Sequence, residues 1–280
     1  MKCLKEILIQ GIWGTERSFE WKNIHSDVNI LVGINGSGKT TLLNLIWGLL
    51  RNDSKILKKY KLSGVEIKDT EGTLIRSEIS KGKSKNIVAV VERAYDFHGE
   101  YVSTFDRIPI RHLSSASPLT LELLDLIYTT GKGENTFFDY RLKASNFPEQ
   151  ARFISHRIQA LYKLINDQLA STNKQIEIDV TTNKLVFRQG DETIQLHELS
   201  AGEKQFLLII FKVFLMEEKP YLLLMDEPEI SLDVDWQFEL INVIRKLNPH
   251  CQIIISTHSP SIFGDGWGDK VVYMEDISIP

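Results

Sequence analysis

The sequence predicts an α/β fold with a mostly parallel core sheet, an N-terminal antiparallel β lobe and a helical insertion. Three observations carry that expectation. Two continuous apolar runs, Tyr221–Met225 and Gln252–Ser256, flank a helical pattern at Val234–Leu247, and such runs belong to strands buried on both faces of a parallel sheet. A glycine-rich turn joins the apolar stretch Val28–Val32 to the helix Thr40–Leu50. The first 32 residues instead alternate apolar and polar in short pieces, as antiparallel strands do.

Taken in order, Leu4–Gln10, Ser18–Trp21 and Val28–Val32 read as strands. Thr40–Leu50 carries Leu42, Leu43, Ile46, Leu49 and Leu50 on one side and reads as a helix. Residues 51–110 read as polar strand pieces at Val65–Lys68, Leu74–Ser77 and Ile87–Val91, joined by charged turns. Residues 117–172 are mostly helical, with Phe153, Ile154, Ile158, Leu161, Leu164, Ile165 and Leu169 at helical spacing. Gln175–Val180 and Lys184–Arg188 form a hairpin around Thr182–Asn183. From Leu199 the pattern is helix, strand, helix, strand and a last strand at Lys270–Met274. The expected organisation is one head over 1–280. Its parts are an N-terminal lobe (1–110), a helical insertion with hairpin (111–198) and a C-terminal lobe (199–280). Heptads are not sustained, so no extended coiled coil is expected.

With 42% hydrophobic residues in 280, the chain can bury an ordinary core. A net charge of −4 argues against nucleic-acid binding through overall basicity and leaves only local basic patches. Cys3 and Cys251 lack metal-type spacing and a disulfide framework. Lys212 interrupts the longest apolar run, Phe206–Met216, which falls short of the ~18 residues of a membrane span. The N-terminus MKCLKEILIQGIWGTE lacks a signal-peptide cleavage pattern. The expectation is a soluble cytoplasmic protein with no membrane partner.

Gly33-Ile34-Asn35-Gly36-Ser37-Gly38-Lys39-Thr40 fits G-x-x-x-x-G-K-[ST], with a strand before it and a helix after it. Such glycines let main-chain N–H groups of Asn35 to Thr41 face phosphate oxygens at a helix N-terminus. Lys39 is the candidate bridge to the β- and γ-phosphates of ATP, and Thr40 the candidate ligand for Mg²⁺. Tyr221–Met225 ends in Asp226-Glu227-Pro228-Glu229. Asp226 at that strand end is placed to hold Mg²⁺ or its water, and Glu227 to polarise an attacking water. Glu229 reads as a solvated loop acid. His258, just past the strand ending at Ser256, stands at the crevice where open α/β sheets bind ligands.

Five segments in this order, Gly33–Thr40, Leu199–Gln205, Tyr221–Glu227, Ser231-Leu232-Asp233 and Ser256-Thr257-His258, resemble elements of ABC-type ATPases. They are Walker A, signature, Walker B, D-loop and switch histidine. The resemblance implies that two copies close head to tail around two ATP·Mg²⁺. Ser200, Gly202 and Asp233 would then complete the partner copy's site, while Glu227 and His258 take catalytic roles. A homodimer or higher oligomer is thus expected. The signature lies 166 positions after Gly33 and carries Glu203 at its fifth place, and the switch reads STHSP. These features look like the RecF, SMC/Rad50 and OLD-like group. PEISLDVDWQ with ISTHSP is most similar to OLD-like AAA ATPases of bacterial anti-phage systems. That implies a nucleotide-driven switch in phage defence or DNA maintenance.

Only 22 residues follow His258, so any nuclease or toxin effector is expected to be a separate chain. No glutamine occurs between 51 and 148, so the family's Q-loop is absent in its usual form, with Asp106 as the candidate substitute. Trp13 and Trp21 are candidates to stack on adenine, the alternative being core. Residues 51–85 hold ten Lys/Arg against five Asp/Glu, either a candidate nucleic-acid face or a solvated sheet edge. The helical block carries Arg141, Lys143, Arg152, Arg157 and Lys163 and reads equally as a partner surface or as a lid. A transporter ATPase subunit and a low-turnover ATP-bound scaffold are the competing readings.

Overall fold

Strands that are apolar on both faces can be covered on both sides, and strands that alternate cannot; the chain sorts them into different sheets. The computed structural model describes residues 3–53, 55–79, 87–91, 98–103, 116–129, 136–264 and 266–279. In chain order the elements begin with β1 (Leu4–Gln10), β2 (Ser18–Trp21), β3 (Val28–Val32), α1 (Lys39–Leu50) and α2 (Lys55–Lys59). Then come β4 (Gly64–Asp69), β5 (Gly72–Ile79), β6 (Ile87–Val91), β7 (Gly99–Ser103), α3 (Pro118–Tyr128), α4 (Phe137–Asn146) and α5 (Ala151–Leu169). β8 (Gln175–Ile178), β9 (Leu185–Gln189), β10 (Glu192–Ile194), α6 (Ala201–Leu215), β11 (Tyr221–Asp226) and α7 (Val234–Leu247) follow. The last are β12 (Cys251–Ser256), β13 (Val271–Tyr273), α8 (Met274–Ile277) and β14 (Ser278–Ile279).

The chain divides into two compact units. The first holds Met1–Thr104, Lys219–Pro228 and His250–Pro280. Its core sheet runs β13-β3-β12-β11-β7, every pair parallel. A second sheet, β14-β2-β1-β4-β5-β6, is antiparallel throughout. Helix α1 packs on β11 and β12 through the face predicted from its leucines. β3 joins the parallel sheet although it follows two alternating strands, because its residues 28–31 are all buried.

The register matters most for function. Asp226 lies opposite Ser256, and Ser256 opposite Leu31. Three strand ends are therefore level, and the segments leaving them (33–38, 227–228 and 257–258) emerge at one edge of the sheet. β7 is a strand the sequence does not announce. It is an edge strand with only Val102 fully buried, so it has no need of a continuous apolar run.

The second unit holds Phe105–Glu218 and Glu229–Pro249. Here α6 is buried all round from Phe206 to Phe211 and packs with α3, α4 and α7. That leaves little room for a polar face. α5 buries Ile154, Arg157, Leu161, Ile165 and Leu169. Phe153, expected on that stripe, is 62% exposed. Arg157 takes an inner place because its guanidinium bonds the Tyr140 hydroxyl (2.8 Å) and the Phe214 carbonyl (3.2 Å) and lies over the Phe214 ring. The hairpin forms as β8 and β9, turning through Asn183 in the left-handed region, and β10 adds a third strand. Segment 199–280 is shared between the units, since α6 and α7 lie in the second and β11 and β12 in the first.

Candidate active site

Gly38 is the N-cap of α1 at φ 107°, no side chain caps that helix, and its first turn contains no acid. The orphan N–H groups of the first turn are thus presented to an anion without a competing carboxylate. A Cβ at Gly38 would fall 2.8 Å from the Phe19 ring, so both backbone and space require glycine. Gly36, at φ 80°, and Asn35 lie on the exposed part of the loop. The Ser37 Oγ is buried and takes no hydrogen bond from any described residue. Thr41 is half-buried in the first turn of α1. An uncapped helix start beside an unsatisfied buried hydroxyl fits a phosphate.

Beneath the loop, Lys39 is buried at 5% exposure. Its Nζ donates to the Gly33 carbonyl (2.9 Å) and to His258 Nε2 (2.7 Å). An ammonium can only donate, so Nε2 accepts and the imidazole proton resides on Nδ1. Thr40 Oγ1 donates to Asp226 Oδ1 at 3.1 Å, and Ser256 Oγ donates to that same oxygen. Asp226 is fully buried. Thr40 and Asp226 offer hard oxygen donors, the chemistry that suits Mg²⁺. Glu227 stands in the left-handed region (φ 47°), its N–H bonded to the Ser256 carbonyl at 2.9 Å. Its Oε1 is 3.5 Å from His258 Nε2. A glutamate with positive φ is strained, and such strain collects at functional sites. The structure thus brings together Lys39, Thr40, Asp226, Glu227 and His258, from segments far apart in sequence.

The signature residues lie in the second unit. Ser200 N-caps α6, its Oγ accepting from Glu203 N–H (3.2 Å), while Glu203 Oε2 accepts from Ser200 N–H (2.8 Å). This is a capping box. Lys174 Nζ contacts both Glu203 oxygens, at 2.7 and 3.0 Å. Burial pushes the Glu203 carboxyl up, but the bonds from Lys174 and from the Ser200 N–H prevail and hold it below the usual carboxylate range. Ser200 itself is exposed. Gly202 has an internal reason to be glycine: a Cβ there would fall 2.2 Å from the Ser231 carbonyl oxygen. Asp233 N-caps α7, accepting from the Asp235 N–H at 3.0 Å.

Several sequence candidates change character. Trp21 is core, 2% exposed, whereas Trp13 is 46% exposed, with the Arg17 guanidinium 5.9 Å from its ring. Arg17 Nη2 donates to the Ser37 carbonyl and so touches the phosphate loop, a contact with no local sequence signal. Glu229 is half-buried with its Oε2 shielded from solvent, so it is not a solvated loop acid. In the basic stretch, Lys55, Lys58, Lys59 and Lys61 are exposed, and Lys68 pairs with Glu6 at 2.9 Å. Lys81, Lys83, Lys85 and Asp106 lie outside the described residues. Of the helical cations, Arg141 bonds Asn183 (2.7 Å), Lys143 bonds Glu217 (2.9 Å) and Arg157 is core. Arg152 and Lys163 remain exposed.

The family described as "AAA domain, putative AbiEii toxin, Type IV TA system" matches residues 28–264. The chain belongs to this family. It is similar to Septu protein PtuA of Bacillus thuringiensis, 23% identical over 93% of this chain and 72% of that protein. It is also similar to an uncharacterized ABC transporter ATP-binding protein, YmeB, of Lactococcus lactis, 25% identical over 87% of this chain and 67% of that one. Another relative, an uncharacterized Dictyostelium discoideum protein, is matched over only 14% of its length. Among solved structures, an SMC head bound to the C-winged helix domain of ScpA has a TM-score of 0.59 at 14% identity, over 93% of this chain and 91% of that one. An SMC head with an extended coiled coil, bound to the C-terminal domain of ScpA derived from Pyrococcus furiosus, has a TM-score of 0.51 at 14% identity, over 94% and 92%. The fold is that of an SMC-like P-loop ATPase head, as the motif order implied. Among the described residues no helix is long and apolar enough to cross a membrane.

Proposed function

We propose that the protein binds ATP with Mg²⁺, closes as a head-to-tail pair of copies and hydrolyses the nucleotide between them. The observation that supports this most is the convergence of Lys39, Thr40, Asp226, Glu227 and His258 at the level ends of β3, β11 and β12. On this reading the N–H groups of Asn35 to Thr41 cradle the phosphates. Lys39 exchanges its bonds to Gly33 and His258 for phosphate oxygens. Thr40 and Asp226 would hold Mg²⁺, which when bound supplies positive charge to the phosphates. Glu227 takes the proton of the attacking water, its strained backbone fixing the direction of the carboxylate. His258, once released by Lys39, would donate towards the γ-phosphate side with its proton carried on Nε2 instead of Nδ1. Ser200, the N–H groups near Gly202, and Asp233 serve the site of the other copy.

The biological use we infer is a nucleotide-driven switch on a separate effector, a nuclease or toxin, in phage defence or DNA maintenance. Its support is the family membership, the similarity to PtuA and the motif wording at 228–237 and 255–260. The experiment is the solution mass of Glu227→Gln with and without ATP·Mg²⁺, beside the wild-type ATPase rate. An ATP-dependent dimer of the variant with turnover in the wild type supports the switch. A mass that is already dimeric without ATP, with negligible turnover, sinks it in favour of a pre-assembled scaffold. The similarity to transporter ATPases keeps a second reading in view; co-purification with a membrane protein would favour it over the first.

A further inference from the structure

Ser256 precedes the switch histidine by two positions and is easily read as the last residue of a buried strand. Its surroundings say more. It is fully buried, and its hydroxyl donates to Asp226 Oδ1. Its carbonyl accepts the N–H of Glu227 at 2.9 Å, the bond made by the residue with φ 47°. One residue of β12 therefore holds both acids at the end of β11, by two independent atoms. The pairing register makes this unavoidable, because Asp226 and Ser256 are direct neighbours in a parallel ladder.

Asp226 Oδ1 also accepts from Thr40 Oγ1 at 3.1 Å. A threonine hydroxyl has two lone pairs besides its proton, so Thr40 can give one to a cation while its proton stays on Asp226. Ser256 is not a candidate ligand, and its hydroxyl serves the carboxylate alone. A buried hydroxyl is disfavoured unless it is bonded, and the bond to Asp226 meets that requirement.

Resting on the ATP·Mg²⁺ reading above, we propose that Ser256 is a positioning residue for the metal acid. Its hydroxyl fixes the Asp226 carboxylate in the orientation that receives Mg²⁺. Its carbonyl separately sets the backbone of Glu227. Substituting the side chain removes the first function and leaves the second.

The test is titration of ATPγS onto the full-length wild type, Ser256→Ala and Ser256→Thr, in EDTA and across a Mg²⁺ series. A hydrogen bond to a charged group predicts a half-saturating Mg²⁺ concentration about tenfold higher in Ser256→Ala. Affinity in EDTA should match wild type, and hydrolysis should recover at saturating Mg²⁺ because the Glu227 contact persists. Ser256→Thr keeps the hydroxyl and should restore the wild-type Mg²⁺ response; Ser256→Cys supplies an isosteric control if threonine does not fold. Equal loss in EDTA and Mg²⁺, or no change in either, overturns the proposal while wild-type binding of ATPγS keeps the parent reading intact. A wild type that binds ATPγS no better with Mg²⁺ than with EDTA overturns both.

Discussion

The two units treat their polar groups in opposite ways. In the first, the side chains assigned to chemistry bond one another across the sequence: Lys39 meets His258 and Thr40 meets Asp226. Such contacts can be exchanged for a ligand, and each exchange releases another group. In the second, the signature helix is locked by its own cap, Ser200 with Glu203, and by the bond of the buried Glu203 to the half-buried Lys174. Nothing in that lock is offered to a ligand except the exposed Ser200 and the helix start itself. On the proposed reading the first region rearranges when nucleotide binds, and the second stays fixed while presenting a surface.

The strongest way to break that contrast is to remove the lock. Lys174→Met leaves a carboxylate that is 3% exposed without its cation, and breaking one side of a buried pair costs about 3–5 kcal/mol. Glu203→Gln retains the capping box, because glutamine serves at that position too, but leaves Lys174 without an anion. The double variant Lys174→Met/Glu203→Gln should recover most of the loss, measured as urea midpoint and hydrogen-exchange protection in α6. Additive damage would show that the two residues act separately.

The same pair has a pH signature. Glu203 has a folded-state pKa below its unfolded value, so its stabilisation is complete above the ordinary carboxylate pKa of about 4.3 and is lost as pH falls through the folded value. Wild type should therefore lose stability relative to the double variant on acidification below about pH 4. Parallel curves for the two proteins would remove Glu203 as the source.

Next in size is the exchange in the first unit. Lys39→Ala should weaken ATP affinity about 100-fold, the upper range for a charge-assisted hydrogen bond, with little change in the stability of the second unit. Gly202→Ala is expected to disturb α6 by about 1–3 kcal/mol, because the Ser231 carbonyl occupies the position of its Cβ. That makes Gly202→Ala a poor probe of phosphate binding. Ser200→Ala is better, since the expected cap loss is only about 1 kcal/mol.

The difference between the units also explains what the sequence made legible. Walker A, Walker B and the switch histidine are contiguous strings set beside strong apolar strands, so their placement could be read. Arg17 and Ser256 act on those strings, and Lys174 acts on the signature, through bonds spanning 20, 30 and 29 positions. No periodicity records such bonds. Glu203 at the fifth place of the signature was legible as part of a string, but its partner, a half-buried lysine at 174, required the fold. Arg157 misled in the other direction: a cation on a polar helix looks like surface until aromatic rings are found around it. β7 was hidden because an edge strand needs few apolar residues.

The smallest effect concerns Trp13, whose ring is 46% exposed beside Arg17, which in turn touches the phosphate loop. Stacking of a base on an aromatic ring contributes about 1–3 kcal/mol, so Trp13→Ala should weaken ATP binding at least about fivefold. Trp13→Phe should recover most of that, and inorganic triphosphate should bind both variants as it binds wild type. An equal loss for triphosphate would assign Trp13 to holding Arg17 against the loop rather than to adenine. The exchangeable region would then extend from the sheet edge into the β1–β2 connection, and Arg17 would have to be counted among the groups that rearrange.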